Sequence, residues 1–292
     1  MNNTIFWDKI RVLVTGNCNY RCPFCHNEGQ KKSYNHSPQM TLTEFVQLVD
    51  YMKTQPISEF VISGGEPFLN KDIMAMITYA NDNLHCDLSC ATNLSLIKEK
   101  DIEMLAKTRI KFNVQFPFVD DRRFSQSTGN GSLTKIMENI KKVRSAGLKI
   151  GLNMVIQSPE KNVLSEMVEF SIDEKLPLKL LPQIGRTDSK SYKEWVFPIL
   201  QKYAISQINK GTGAIKWLIQ RDNKTTSVLY IDSPCFTKDI DTCRNFGEVR
   251  IHPGLYVQSC IAKPIDLRLD FTKGYNFITD QFIQLWNDFT TC

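Results

Sequence analysis

The sequence lacks the features of a membrane or exported protein. Its 292 residues contain no apolar run that approaches the ~18 residues needed to cross a bilayer. The first eight residues show neither the basic region nor the apolar segment of a signal peptide. We therefore expect a cytoplasmic protein with no membrane partner.

A strong excess of one charge is also absent. There are 36 lysines and arginines against 31 aspartates and glutamates, a net charge of +5. Basic pairs such as Arg122-Arg123 and Lys141-Lys142 are scattered, which is typical of a solvated surface and argues against a nucleic acid partner. An anionic small-molecule substrate stays open. The four histidines are too dispersed to indicate a general base, so the catalytic residue is unknown at this stage.

Cysteine, by contrast, is abundant. Nine cysteines in a chain without an export signal favour metal or redox chemistry over disulfide bonds. They fall into three sets along the chain: Cys18, Cys22 and Cys25; Cys86 and Cys90; and Cys235, Cys243, Cys260 and Cys292. Cys86 and Cys90 share one face of a predicted strand and receive no role.

The first set is the most informative. Cys18, Cys22 and Cys25 are spaced C-x₃-C-x₂-C on one short loop. Three thiolates can hold three corners of a cubic iron–sulfur cluster, which normally has four cysteine ligands. The fourth iron would then be free to bind a substrate or cofactor. Zinc, with His26 as fourth ligand, is the alternative on spacing alone.

The first 184 residues alternate strands with helices. Six such repeats in order predict parallel strands, and six are too few to close an eight-fold barrel, so the expected fold is α/β, an open partial (β/α)₆ barrel. The predicted strands are Ile10–Thr15, Glu59–Ser63, Cys86–Thr92, Lys111–Phe116, Lys149–Ile156 and Leu178–Ile184. The predicted helices are Thr41–Thr54, Lys71–Asn83, Lys98–Lys107, Ser132–Ala146 and Asn162–Glu174. Ligands of parallel α/β folds bind at the carboxyl ends of the strands, where the Cys18–Cys25 loop begins.

From residue 185 the pattern changes. It predicts a small α+β appendage over residues 185–292, distinct from a barrel domain over residues 1–184. Its predicted elements are a long helix Lys190–Asn209, strands Ala214–Arg221 and Thr225–Ile231 joined by a turn at 222–224, a hairpin at Pro253-Gly254 and a helix Asp280–Phe289.

The cysteine loop resembles that of the radical S-adenosylmethionine (SAM) superfamily, C-x₃-C-x-aromatic-C, with Phe24 as the aromatic residue. The resemblance implies a [4Fe–4S] cluster on Cys18, Cys22 and Cys25, whose open iron binds SAM beside Phe24. The run Gly64-Gly65-Glu66-Pro67 follows the second strand, where the superfamily binds the SAM amino group. Glycines allow close backbone approach, and Glu66 offers an acceptor to an ammonium.

Later strand ends supply further expected SAM contacts. Thr92 and Asn93 match the family's turn after the third strand, although Leu94 stands where glycine is usual. Gln115 ends the fourth strand and Asn153 lies on the fifth. Each side chain could bind SAM or could satisfy backbone groups of the turn.

The third cysteine set lies in the appendage. Cys235, Cys243 and Cys260 fall within 26 positions, and Cys292 ends the chain. We interpret them as ligands of a second, auxiliary [4Fe–4S] cluster, with zinc or buried core cysteines as alternatives.

The whole chain is similar to the GTP 3′,8-cyclase branch of molybdenum-cofactor synthesis. The similarity rests on Arg11 before the first cysteine, the Cys25–Gly29 run, and the segment Phe124–Gly129. The resemblance implies that Arg11 and Arg250 contact substrate.

Departures from that branch concern its substrate site. Phe246 replaces a cluster cysteine, Glu248 replaces an arginine, and Gly151 replaces a lysine expected to bind triphosphate. The glycine pair expected at the C-terminus is also missing. Lost positive charge weakens the binding of a polyanion, so we predict a substrate other than GTP.

The sequence thus predicts a radical SAM enzyme that acts on a small molecule or peptide with the aid of an auxiliary cluster. The resemblance implies a reducing partner such as flavodoxin or ferredoxin. Two alternatives remain open: a divergent GTP 3′,8-cyclase-like nucleotide cyclase, and a non-catalytic zinc- or cluster-binding protein.

Overall fold

A single twisted sheet organises the protein. The computed structural model describes residues 4–26 and 39–291. The strands are β1 (Lys9–Leu13), β2 (Glu59–Ser63), β3 (Asp87–Thr92), β4 (Lys111–Gln115), β5 (Lys149–Ile156), β6 (Leu178–Pro182), β7 (Ala204–Asn209), β8 (Ala214–Arg221), β9 (Lys224–Ile231), β10 (Glu248–His252), β11 (Tyr256–Gln258) and β12 (Leu267–Arg268). They lie in the order β12-β11-β10-β1-β2-β3-β4-β5-β6-β9-β8-β7. Every pairing from β10 through β6 to β9 is parallel.

Helices connect the parallel strands. They are α1 (Leu42–Met52), α2 (Ile73–Asn83), α3 (Glu99–Leu105), α4 (Asp121–Thr128), α5 (Leu133–Ser145), α6 (Lys161–Asp173), α7 (Lys193–Gln201), α8 (Ile240–Phe246) and α9 (Tyr275–Asp288). Local sequence sets their ends: Thr41 and Glu44 form a reciprocal capping box at the start of α1, and Gly129 ends α4 in the left-handed conformation. None of the described helices is long and apolar enough to span a membrane.

Strand alternation separates a helix-packed face from a concave face. On β1, Ile10 and Val12 are fully buried in the main hydrophobic core, whereas Lys9 and Arg11 point to the other side. The same alternation continues around the parallel strands. The concave face therefore carries polar and charged residues, and it is the surface on which a ligand could be held.

The predicted partial barrel is confirmed. All six predicted strands form in the predicted order, and two of them, Glu59–Ser63 and Lys149–Ile156, have the predicted bounds. The five predicted helices also form, each one or two residues shorter at most ends. Helix α4 was not predicted, because Phe124 is the single apolar residue of Asp121–Thr128 and cannot by itself produce a helical periodicity.

The long helix predicted over Lys190–Asn209 is wrong. Helix α7 ends at Gln201, and Ala204–Asn209 forms β7, an edge strand that pairs antiparallel with β8. The residues 204–209 show no strong preference for helix or strand, so the backbone hydrogen bonds offered by β8 select the strand. The hairpin at 222–224 is confirmed: Asp222 and Asn223 both have positive φ, 47° and 61°, as a two-residue β-hairpin turn requires.

The C-terminal strands continue the barrel sheet. Strand β9 pairs parallel with β6, and β10 pairs parallel with β1. The segment between β9 and β10, which includes α8, crosses from the carboxyl end of one to the amino end of the other. The C-terminal third therefore extends both edges of the open barrel.

An aromatic cluster joins the two ends of the described chain. Trp7 is 1% exposed, and its indole N–H donates to the Phe282 carbonyl oxygen at 3.2 Å. Its ring packs edge-on against Trp286 at 4.9 Å between centroids and contacts Phe289 at 5.5 Å. The segment that leads into β1 is thus fixed to α9.

We predict that Trp7→Ala lowers the free energy of unfolding by about 3–5 kcal/mol, since it leaves a large cavity and an unpaired carbonyl. Urea unfolding measures the change. The neighbouring variant Phe6→Ala is the control, because Phe6 is 56% exposed and should cost under about 1 kcal/mol. Equal losses in the two variants would contradict this account.

Candidate functional site

The cysteine loop lies at the carboxyl end of β1. Cys18 and Cys25 are exposed and Cys22 is partly buried. A tight turn over Pro23 and Phe24 brings the Cys25 N–H to the Cys22 carbonyl oxygen at 3.1 Å. The loop therefore lies at the edge of the barrel where parallel α/β folds bind ligands.

The glycine pair packs against the backbone that leads into this loop. Gly65 N donates to the Thr15 carbonyl at 2.7 Å, and Glu66 N donates to the Asn17 carbonyl at 2.7 Å. A Cβ at Gly65 would lie 2.1 Å from the Asn17 carbonyl oxygen, and a Cβ at Gly64 would lie 2.4 Å from that of Thr15. Only glycine permits this approach, so the pair positions the cysteine loop.

Two other strand connections hold the same loop. After β3, Asn93 donates to the Asn19 side chain at 2.8 Å, and Asn19 in turn donates to Ser95 at 2.8 Å. At the end of α4, the Thr128 carbonyl accepts from Arg21 N at 2.9 Å. The loop is thus bound to three separate elements of the barrel rim.

Glu66 lies inside this network. Its carboxylate is buried and accepts hydrogen bonds from Phe68 N (3.1 Å), the Thr92 hydroxyl (2.7 Å) and Asn93 N (2.7 Å). Burial raises the pKa of Glu66, although the three hydrogen bonds oppose the rise. The side chains of Glu66, Thr92 and Asn93 therefore join the second and third strand turns. Their contact with SAM stays a prediction.

Leu94 occupies a glycine-like position. Its φ is +60°, in the left-handed region, and its side chain is fully buried. The position where glycine was expected thus has the left-handed backbone conformation that glycine favours, although its residue is leucine. A non-glycine residue in this region costs about 1–2 kcal/mol, which burial of the leucine side chain offsets.

The three thiols influence one another electrostatically. Burial, followed by the neighbouring Cys25 and Cys18, raises the pKa of Cys22 to about 12. Burial also raises the pKa of Cys18. Three thiolates so placed need a cationic partner. The described side chains include no group of three that could hold one metal ion. An iron–sulfur cluster does not require three ligands around one ion, because each thiolate binds a different iron atom.

A row of polar side chains crosses the concave face below the loop. Gln115 on β4 pairs in register with Asn153 on β5, which pairs in register with Lys179 on β6. Gln115 Nε2 and Asn153 Oδ1 are buried, and the described part of the chain offers neither a hydrogen-bond partner. Such groups are costly unless a ligand or water satisfies them. Sequence reasoning missed Lys179, although a lysine between apolar residues of the predicted strand Leu178–Ile184 could have indicated it.

An ion triplet lies on the opposite wall. The Glu248 carboxylate accepts from Arg11 at 2.9 Å and Arg250 at 2.7 Å. Glu248 is buried, and burial alone would raise its pKa, but the two guanidinium groups outweigh this and hold the pKa at about 2. The two arginines predicted to contact substrate are thus brought together, with a carboxylate between them.

The later cysteines lie apart from the first loop. Cys235 is in a short turn after β9, Cys243 is on α8, and Cys260 follows β11; all three are partly buried. Cys292 lies outside the described residues, as does most of the Cys25–Gly29 run. Whether these cysteines share a cluster stays a prediction.

Comparison with known proteins decides the family. Residues 12–170, which contain the end of β1, the cysteine loop, the glycine pair and strands β2 to β5, match the model of the Radical SAM superfamily. The chain belongs to the radical SAM superfamily. Enzymes of this kind use a [4Fe–4S] cluster and SAM, and the chain is such an enzyme.

Full-length radical SAM relatives are distant. The GTP 3′,8-cyclase of Helicobacter pylori (strain ATCC 700392 / 26695) is 24% identical over 297 residues, which cover 96% of this chain and 92% of the relative. The GTP 3′,8-cyclase of Clostridium perfringens (strain 13 / Type A) is 21% identical over 285 residues, covering 94% and 86%. The predicted resemblance to this branch is confirmed.

Solved radical SAM structures share the fold. Streptococcus suis SuiB bound to its precursor peptide SuiA superposes with a TM-score of 0.71 at 16% identity, over 95% of this chain and 65% of SuiB. SuiB bound to S-adenosylmethionine gives a TM-score of 0.68 at 17% identity, over 89% of this chain and 63% of SuiB. This chain therefore spans just under two thirds of the SuiB chain.

The described residues fit the radical SAM cofactors. Cys18, Cys22 and Cys25 can supply the three thiolate ligands of a cluster with one open iron. Burial raises the pKa of Cys18 and Cys22, which a bound cation would counteract. The unsatisfied polar atoms of Gln115 and Asn153 lie side by side on β4 and β5, where they need a water or ligand partner.

We predict that Gly65→Ala reduces the iron bound after anaerobic reconstitution by more than half. The new methyl group would overlap the Asn17 carbonyl oxygen and displace the loop that carries the cysteines. Iron analysis and the cluster absorbance measure the loss. Gly151→Ala is the matched control, since its Cβ would meet nothing closer than 3.6 Å. Normal iron content in Gly65→Ala would refute this role of the glycine.

We predict that Glu248→Gln destabilises the fold by about 3 kcal/mol near neutral pH, because it removes the anion between two buried guanidinium groups. Since the folded pKa of about 2 lies below the ordinary 4.5, the wild-type advantage is present above pH 4.5 and declines as the pH falls towards 2. Urea unfolding of both proteins between pH 6 and pH 3 tests this.

Glu99→Gln is the control for that measurement, because the Glu99–Lys142 pair is largely exposed and contributes less than about 1 kcal/mol at any pH. A wild-type advantage over Glu248→Gln that stays constant across this range would be inconsistent with the assigned pKa.

Proposed function

We propose that this radical SAM enzyme cleaves SAM reductively and abstracts hydrogen from a small-molecule or peptide substrate, aided by an auxiliary iron–sulfur cluster. The observation that carries the proposal is the cysteine loop itself. Three thiols stand at the carboxyl edge of a parallel barrel, on a loop that Gly65 and Asn93 hold in place. A merely structural metal site would be closed by a fourth ligand.

Cofactor and protein have separate tasks in this scheme. When bound, the cluster supplies the electron that breaks the SAM sulfonium bond, and the resulting 5′-deoxyadenosyl radical takes a hydrogen atom from substrate. Gln115 and Asn153 orient the nucleoside through their unsatisfied amide groups. Phe24 is partly buried beside the cysteines and limits water access to the open side.

The substrate binds on the concave face. That face connects the SAM site with the Arg11–Glu248–Arg250 triplet and with Lys179, all carried by strands of one sheet. Full-length similarity to GTP 3′,8-cyclases supports a small molecule, and the fold shared with peptide-bound SuiB supports a peptide. A reducing protein such as flavodoxin or ferredoxin would supply electrons.

We assign the auxiliary cluster to Cys235, Cys243 and Cys260. They lie on the segment that joins β9 to β10 and on the loop after β11. Cys292 would be a fourth ligand. Three ligands would leave an iron open to substrate, whereas four would close the cluster and suit electron transfer.

Anaerobic reconstitution tests both clusters. We expect about seven to eight irons per chain in the wild type, together with 5′-deoxyadenosine release that depends on reductant. The triple variant Cys18→Ala, Cys22→Ala, Cys25→Ala should retain about half of the iron and release no 5′-deoxyadenosine. The triple variant Cys235→Ala, Cys243→Ala, Cys260→Ala should also lose about half of the iron but still cleave SAM.

Cys86→Ala is the control, because Cys86 is partly buried on the barrel and has no assigned ligand role. It should retain full iron and full cleavage. Stoichiometric zinc without SAM cleavage in the wild type would favour the non-catalytic alternative. Full iron in the second triple variant would remove the auxiliary cluster from the proposal.

GTP cyclisation is the second candidate, favoured by the 92% coverage of the Helicobacter pylori enzyme. The buried Glu248 argues against it, because a carboxylate beside Arg11 and Arg250 repels a triphosphate. Incubation of the reduced enzyme with SAM and GTP, followed by nucleotide analysis, should give no cyclised product.

A further inference from the structure

The positive charges of the concave face differ in how they are compensated. Arg11 and Arg250 share the Glu248 carboxylate at 2.9 and 2.7 Å. Lys179 has no such partner: within the described ranges no residue hydrogen-bonds its ammonium group or forms an ion pair with it. Burial, followed by the nearby Arg11, lowers the pKa of Lys179. The carboxylates of Glu59 and Glu248 oppose this shift without forming an ion pair with the ammonium group.

An ammonium group that is removed from water lowers the stability of the folded protein unless an anion or a hydrogen-bond acceptor pairs with it. Folding places it there because Lys179 alternates with the core residues Leu178 and Leu180, which face the helices. Its methylene stem therefore cannot turn outward without a change of strand register. The position of Lys179 and the free-energy cost of its desolvation together indicate that it binds an anionic ligand.

The neighbours of Lys179 suit an oxygen-rich ligand. Asn153 is its register partner on β5 and Gln115 is the next along on β4. Gln115 Nε2, a donor, and Asn153 Oδ1, an acceptor, are both buried and unsatisfied. The two amides can hold the nucleoside as proposed above, and the Lys179 ammonium beside them can then bind a carboxylate or phosphate of an adjacent substrate.

Glu248 limits the charge that the site can hold. It places a negative charge within hydrogen-bonding distance of both guanidinium groups that could otherwise join Lys179 around a polyanion. A second or third phosphate would have to displace this carboxylate or lie against it. The negative charges of a phosphate and of the Glu248 carboxylate repel each other strongly at contact distance, because water is partly excluded from the cavity.

We propose that Lys179 binds a single anionic group of the substrate, and that Glu248 makes the concave face reject polyphosphates. The assignment of the anion to a substrate rests on the proposed radical SAM function, whereas the anion site can be tested without that function. Substrates of this class carry one carboxylate or one phosphate monoester.

Calorimetric titration of the reconstituted full chain with inorganic phosphate, pyrophosphate and tripolyphosphate tests the proposal. Wild-type protein should bind phosphate and should gain less than about ten-fold in affinity from phosphate to tripolyphosphate. Lys179→Gln should weaken phosphate binding by at least about ten-fold, the loss expected for one charge-assisted hydrogen bond. Glu248→Gln should gain at least about ten-fold for tripolyphosphate and little for phosphate.

Matched controls separate local contacts from net charge. Lys135→Gln removes the same charge from the exposed start of α5 and should leave phosphate binding unchanged. Lys179→Gln should change the melting temperature little, because Lys179 forms no hydrogen bond or ion pair with the other described residues. If Glu248→Gln does not fold, the wild-type phosphate series and Lys179→Gln still decide the question.

Three results would overturn the proposal. They are phosphate binding in Lys179→Gln that equals wild type, tight tripolyphosphate binding by wild type, and a loss of SAM affinity in Lys179→Gln as large as its loss of phosphate affinity. The last would assign Lys179 to the SAM carboxylate. Release of 5′-deoxyadenosine, measured on the same preparations, reports separately on the proposed function, so either conclusion can fail alone.

Discussion

The contact on which the site depends is the close packing of two backbones. The Gly64-Gly65 turn after β2 approaches the chain after β1 so closely that a single methyl group on either glycine would overlap a carbonyl oxygen. Two short hydrogen bonds join these segments. Because both segments begin at ends of neighbouring parallel strands, the sheet register is transmitted directly to the position of Cys18 and its companions. The geometry of a reactive cluster thus derives from the rigid part of the fold.

Around this contact, buried polar groups have two different functions. Glu66, Thr92 and Asn93 satisfy one another and connect the second and third strand turns. Gln115, Asn153 and Lys179 form a row that the protein itself leaves partly unsatisfied. The first group stabilises the rim of the barrel. The second group is available to ligands, and the physical difference between them is whether a protein partner lies within hydrogen-bonding distance.

The predicted departures from the GTP 3′,8-cyclases include a change of charge on the concave face. The relatives align over nearly the whole chain, yet Glu248 stands where an arginine was expected and is held between Arg11 and Arg250. Glu248 thereby neutralises Arg11 and Arg250, and it also removes the positive charge of the arginine expected at its position. A conserved fold can change its substrate in this way, since loops and strand order need not move when the charge of an interior surface is altered.

Sequence alone determined the repeat of strands and helices, the cysteine loop and the glycine turn, because these depend on short-range patterns and on residues with unusual chemistry. It could not determine that Ala204–Asn209 is a strand, since β8 supplies the hydrogen bonds that select that conformation. Nor could it show that Glu248 lies between two arginines, or that Lys179 lies in register with Asn153. Those relations join residues far apart in the chain. Only the pairing of β10 with β1 and of β6 with β5 brings them to one concave face.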